Sequence, residues 1–152
     1  MRRLVLLCRH GNTFDTGEKV VMVGANQDLS LTAFGREQAE RVGRVLGNAS
    51  ISVERVVTGP LRRTREYSGI LVSTAHIAAP IVIDPRLLEI DYGDWGGLSD
   101  EEIARISGEE ALRRWHQDSI RPHDVLFTPS EEALRQECTS FLHDLESGPA
   151  DC

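Results

Sequence analysis

The chain has 152 residues, 40% of them hydrophobic and 27% charged, with a net charge of −7; this length fits one domain with a real core, and this composition argues against disorder. The negative balance argues against general binding to nucleic acid or to an acidic membrane, although a local arginine cluster can still hold an anion. The three cysteines, Cys8, Cys138 and Cys152, are odd in number and show no CxxC spacing, so neither a disulfide framework nor a zinc site is indicated and a reduced, cytoplasmic setting is the default.

Leu4 to Cys8 is a continuous apolar run ending in a polar, glycine-containing loop, which predicts a buried parallel strand with Cys8 in the core. The run is too short for the apolar core of a signal peptide, and no transmembrane stretch is expected. Residues 17–31 have no clear period and read as loop. Thr32 can cap a helix running to about Gly47, with Ala39, Val42, Val45 and Leu46 inward. Val53 to Thr58 is a second strand, Pro60 opens a helix to about Ser73, and Ile81 to Asp84 is a third strand. Ser99 and Glu102 form a capping box, and Gly108 interrupts that helix before a second piece reaching Trp115. Thr128, Pro129 and Glu131 repeat the capping logic ahead of an amphipathic helix with Leu134, Cys138, Phe141, Leu142 and Leu145 on one face. Strands alternating with helices predict a layered α/β fold with a largely parallel sheet. One domain is expected over residues 1–152, with 147–152 as a flexible tail.

The polar residues of interest fall at predicted strand ends, where open α/β folds place their sites. Arg9-His10-Gly11 follows the first strand. An arginine there wants an anion, and its fork matches phosphate oxygens. A neutral histidine nitrogen can attack phosphorus if the other nitrogen is held by a hydrogen bond, and Gly11 lets backbone N–H groups approach an anion. The competing reading is a histidine bonded to a loop and an arginine paired with a carboxylate, and the tripeptide alone does not decide between them. Arg62, Arg63 and Arg65 follow the second strand at a helix amino terminus, which also attracts anions. A solvated basic face is the ordinary fate of such a run, and the strand-end position raises Arg63 above it. Glu89, after the third strand, is placed either to protonate a leaving oxygen or to pair with one of the arginines.

Together these segments resemble the histidine phosphatase superfamily, the phosphoglycerate-mutase-like proteins. Arg9-His10-Gly11-Asn12-Thr13 is similar to that family's Arg-His-Gly-x-Thr signature. Leu31-Thr32, Gly35, Gln38 and Ala39 are similar to its Leu-Thr-x-x-Gly-x-x-Gln-Ala segment. Thr58 to Thr64 resembles its Ser-Pro-Leu-x-Arg-Thr segment, with Gly59 in place of the serine. Leu88-Glu89 with Gly93-Asp94-Trp95 resembles its acidic loop. The resemblance implies a three-layer α/β/α sandwich with a mainly parallel sheet. It implies that His10 becomes a phosphohistidine, that Arg9 and Arg63 hold the phosphoryl oxygens, and that Glu89 donates the proton to the leaving group. Gly11, Asn12, Thr13, Thr16 and Arg62 are the expected phosphate and substrate contacts. No metal and no cofactor are expected, because fixed cations supply the electrostatics.

The chain departs from the family in two places. Thr16 stands where an asparagine is common. The family's second histidine lies in a Ser-His-Gly segment after a strand that follows the last helix and sits centrally, between the first and second strands. No such segment is found here, so the fold is expected to be shortened at its carboxyl end. His76, His116, His123 and His143 follow no apolar strand, and His143 should face solvent. The first and second strands are then expected either to pair directly or to leave a gap that a second copy fills. The leading expectation is a phosphomonoester hydrolase acting on a phosphorylated small molecule or phosphoprotein, with activity reduced by the missing histidine. Its alternatives are a non-catalytic phosphate-binding module, a phosphoglycerate-mutase-type phosphoryl transferase and a phosphohistidine acceptor.

Overall fold

Residues 4–49 and 51–147 are described by the structure, a computed structural model. The elements run α1 (Ala33–Asn48), β1 (Val56–Thr58), α2 (Arg62–Ala75), β2 (Ile81–Ile83), α3 (Asp100–Ser107), α4 (Glu109–Asp118) and α5 (Glu131–Ser147), with short 3₁₀ turns at Pro85–Leu87 and Gly93–Trp95. The class is α/β. β1 and β2 pair in parallel, Val56 opposite Ile81 and Thr58 opposite Ile83. No described helix is long and apolar enough to cross a membrane.

Local signals explain most helix ends. Thr32 Oγ1 accepts from Gly35 N–H at 3.0 Å and caps α1. The Ser99–Glu102 capping box is closed in both directions at the start of α3. Gly108, at φ 86°, ends α3 and opens α4, which continues to Asp118. Two starts differ from expectation. Pro60 precedes α2 by two residues, because Leu61 is still extended and serves as its N-cap. For α5 the cap is Ser130, whose Oγ accepts from Ala133 N–H at 3.2 Å. Thr128 is drawn instead into a backbone bridge with Asp91.

Two apolar clusters hold the described residues together. Leu31, Ala39, Tyr67 and Leu71 join α1 to α2, with Val42 and Leu46 packed against them. Ile90, Trp95, Ile103 and Phe127 join the segment after β2 to α3. Val45, expected inward, is 66% exposed.

The largest correction concerns the first predicted strand. Leu4 to Cys8 forms no strand, and among the described residues no backbone hydrogen bond ties it to another segment. Leu4 is 73% and Leu7 91% exposed, and Cys8 is exposed rather than in a core. A strand is buried by neighbours on both edges and both faces, and these five residues lack them. Among the described residues the sheet therefore has two strands where three were expected. The same shortage affects α5. None of its residues is buried, Leu142 is 52% exposed and Cys138 is exposed, so the apolar face is only partly covered. Its fixed point is Arg86, which pairs with Asp84 and Asp144, donates to Ser140 and lies over the Phe141 ring. Of the tail expected over 147–152, Ser147 is instead the last residue of α5, and 148–152 lie outside the described residues.

Removing the α1 cap with Thr32→Ala should cost about 1 kcal/mol. The urea midpoint should fall with an unchanged slope.

Candidate active site

His10 is positioned by a backbone crossing. Gly11 is buried, and a Cβ added there would collide with the carbonyl oxygen of Gly35, while a Cβ at Gly35 would collide with that of Asn12. Two residues, Thr32 and Gln38, then hold the turn by hydrogen bonds. Thr32 N–H donates to Asn12 O at 2.9 Å. Gln38 Oε1 accepts from Asn12 N–H at 2.8 Å. Thr32 Oγ1 also reaches Asn12 O, at 3.3 Å. The Thr32, Gly35 and Gln38 spacing thus places three clamps on one helical face.

His10 Nδ1 lies 2.8 Å from Gly11 O. A carbonyl can only accept, so Nδ1 carries the proton and Nε2 keeps its lone pair. Partial burial lowers the pKa of His10, the Gly11 bond offsets part of this, and the charges of Arg63 and Arg9 lower it further. The ring is therefore held toward its neutral form.

Arg63, in the first turn of α2, is 2% exposed. Nη1 donates to Gln27 O at 2.9 Å and Nη2 to Gly24 O at 3.0 Å. Burial lowers its pKa, and the charges of Glu89 and Asp28 oppose this. Gly24, at φ 58°, packs where a Cβ would strike Ile90 O and the Tyr92 ring. Ala25 N–H donates to Ile90 O at 3.0 Å. Arg63 consequently fixes the 24–27 loop, which in turn lies on the segment carrying Glu89. Gly59 lies against Leu87 O, with no room for a Cβ, which accounts for glycine where the family has serine.

Glu89 Oε1 accepts from Ile90 N–H at 3.3 Å and from Tyr92 Oη at 3.5 Å. Burial, then the charge of Glu89, push the Tyr92 phenol up to about 12, so it stays a donor. Tyr92 meets Trp115 and Phe127 edge-on at 5.8 and 5.2 Å between ring centres. The Leu88–Trp95 segment does not by itself reveal Tyr92 as a partner of the acid, because the rings that hold it, Trp115 and Phe127, lie more than twenty positions away.

The structure brings Arg9, Arg63 and Glu89 within electrostatic reach of His10. Arg9 is exposed and, among the described residues, forms no ion pair. An open cleft of about 340 Å³ beside it is lined by Arg9, His10, Gly11, Gln38, Arg41, Val42 and Tyr67. Asn12 offers backbone contacts only to α1 and its cap. Thr13 is half-buried, and Thr16 is exposed in a turn. Arg62 is drawn aside, its Nε 2.8 Å from Glu66 Oε1 while its backbone N–H donates to Asp28. The other histidines are occupied or exposed elsewhere. His76 ends α2, His116 faces Asp100, His143 is exposed beside Ser147, and His123 is exposed. No group of three potential metal ligands occurs among the described residues.

With this geometry in view, the family can be stated. The profile of the histidine phosphatase superfamily (branch 1) matches residues 5–151, and the chain belongs to that superfamily. The 2,3-bisphosphoglycerate-dependent phosphoglycerate mutase of Afipia carboxidovorans is 31% identical over 141 residues, which are 92% of this chain and 65% of that one. Its counterpart in Staphylococcus saprophyticus is 29% identical, with 92% and 58% covered. The chain thus spans less than two thirds of the length of these curated relatives. Among solved structures, a mycobacterial glucosyl-3-phosphoglycerate phosphatase in complex with VO3 superposes with a TM-score of 0.74 at 25% identity, covering 93% of this chain and 66% of that one. YhfR of Bacillus stearothermophilus gives 0.70 at 28%, covering 89% and 63%.

Two measurements follow from this geometry. The imidazole of His10 should titrate below 6.5 by NMR, and Arg9→Gln should move its midpoint upward by removing a repelling charge. Arg63→Met would leave the Gly24 and Gln27 carbonyls without their donor, at a cost of roughly 2 to 3 kcal/mol, read as a lower urea midpoint.

Proposed function

We propose that this chain is built for phosphoryl transfer through a phosphohistidine on His10, most simply as a metal-independent phosphomonoester hydrolase. The observation that carries this reading is the Nδ1 bond to Gly11, which leaves Nε2 as the free nucleophile beside Arg9 and Arg63. Nε2 attacks phosphorus, the ester P–O bond breaks, and Glu89, which takes up a proton when the charge of the phosphate ester lies beside it, gives that proton to the departing oxygen. Water then attacks the phosphohistidine and yields inorganic phosphate, with Glu89 taking the proton back. Arg9 and the donors of Arg63 not spent on Gly24 and Gln27 face the phosphoryl charge. The solved relatives include a glucosyl-3-phosphoglycerate phosphatase with inorganic phosphate, which supports an oxyanion pocket of this kind. The substrate class we assign is a phosphorylated small molecule or phosphoprotein, met in the cytoplasm.

A second reading, a phosphate-binding module without turnover, draws on the absence among the described residues of another imidazole beside His10. One missing donor of that kind typically costs about 3 to 4 kcal/mol of transition-state stabilisation. Hydrolysis of nitrophenyl phosphate without added metal separates the two. We expect slow turnover that is lost in His10→Ala. Phosphate binding by the folded chain, with no turnover above the variant, would favour the module.

A further inference from the structure

Glu89 is exposed, and it is weakly held. It accepts from Ile90 N–H at 3.3 Å and from Tyr92 Oη at 3.5 Å. Both bonds go to Oε1, so Oε2 is the oxygen left to carry a proton. Only the Tyr92 bond comes from a side chain. Contacts of this length are usual in ligand-free sites and tighten when substrate binds. The Glu89 carboxyl is therefore only as well placed as the Tyr92 hydroxyl.

Three neighbours hold the Tyr92 ring. Gly24 packs so closely that a Cβ there would lie 2.7 Å from Tyr92 Cδ2. Phe127 meets the ring edge-on at 5.2 Å and Trp115 at 5.8 Å, and these two meet each other at 5.2 Å. Edge-to-face contacts fix ring orientation as well as distance. The neighbours differ in what else they do. Gly24 is tied through its carbonyl to Arg63. Phe127 is 3% exposed and packs on Trp95 at 5.4 Å. Trp115 is only partly buried, at the margin of the second cluster, and it comes from α4, which contributes no buried residue.

We propose that Trp115 is a positioning residue for the proton donor: from α4 it sets the tilt of the Tyr92 ring, and the Tyr92 hydroxyl holds Glu89 Oε1 so that Oε2 faces the leaving oxygen. Trp115 acts only through Tyr92. The inference rests on the hydrolase reading, in which Glu89 protonates that oxygen. Burial, then the charge of Glu89, keep the phenol protonated, so Tyr92 remains a donor to the acid. The benefit of a well-aimed acid depends on the leaving group. It is large where the departing oxygen is strongly basic and small where that oxygen leaves readily as an anion.

The first measurement compares kcat/KM for phenyl phosphate, whose departing oxygen needs a proton, with that for nitrophenyl phosphate, whose oxygen needs one far less. Trp115→Leu should lower the ratio of the two by about tenfold, and Trp115→Phe, which keeps a ring, should retain most of it. Added to Glu89→Gln, Trp115→Leu should lower the ratio no further. Equal losses on both esters, no loss, or a further loss in the double variant would overturn the proposal. Should the unsubstituted chain hydrolyse neither ester, the hydrolase reading fails, and a second measurement decides the positioning contact. This is fluorine NMR of the chain carrying 3-fluorotyrosine, in which Tyr67 and Tyr92 give the two signals. Glu89→Gln should lower the titration midpoint of Tyr92 by removing a neighbouring negative charge, and should lower it less in the Trp115→Leu chain. An equal drop in both chains would overturn the proposal whatever the activity.

Discussion

The backbones of Gly11 and Gly35 cross with no space for a side chain at either position, and the placement of His10 depends on that contact. In a complete sheet, a residue at a strand end is held by the ladder beneath it. Here Leu4–Cys8 has no ladder among the described residues. The turn after it is held from α1 instead, through the Thr32 and Gln38 bonds to Asn12. The Thr32 cap therefore serves two ends. It starts a helix, and it fixes the loop that carries His10.

A second set of contacts brings the remaining charges to that point. Arg63 uses two of its donors on Gly24 and Gln27, so its guanidinium is fixed before any ligand arrives. Preorganised donors of this kind need no reordering at the moment of reaction. Glu89 is held more loosely, by two long contacts from Ile90 and Tyr92. Tyr92 links the acid to Trp115 and Phe127, and so to the second apolar cluster. The first cluster reaches the cleft beside His10 through Val42 and Tyr67, and the second reaches Glu89 through Tyr92.

What was legible in the sequence was mostly local. The Ser99–Glu102 box, the Thr32 cap and the Gly108 break each depend on residues within a few positions, and each stands as read. The pairing of β1 with β2 also follows from two short apolar runs joined by a helix. The first strand failed because burial is a property of neighbours, and Leu4–Cys8 has the composition of a core strand without them. The capping logic at Thr128 failed for a related reason, since a long-range bridge to Asp91 took that residue. Arg63 was picked out by position, but its carbonyl partners lie thirty-six and thirty-nine residues away. Gly59 looked like a mere departure from the family until Leu87 was found against it.

The central claim is that Nε2 of His10 is the atom that accepts the phosphoryl group. It is tested most directly by incubating the folded chain with nitrophenyl phosphate, quenching in alkali, and identifying the phosphorylated atom by phosphorus NMR and peptide mass. The account predicts an acid-labile phosphate on His10, bonded at Nε2. A phosphate on Nδ1, on another residue, or no covalent phosphate from a chain that still turns the ester over would contradict it.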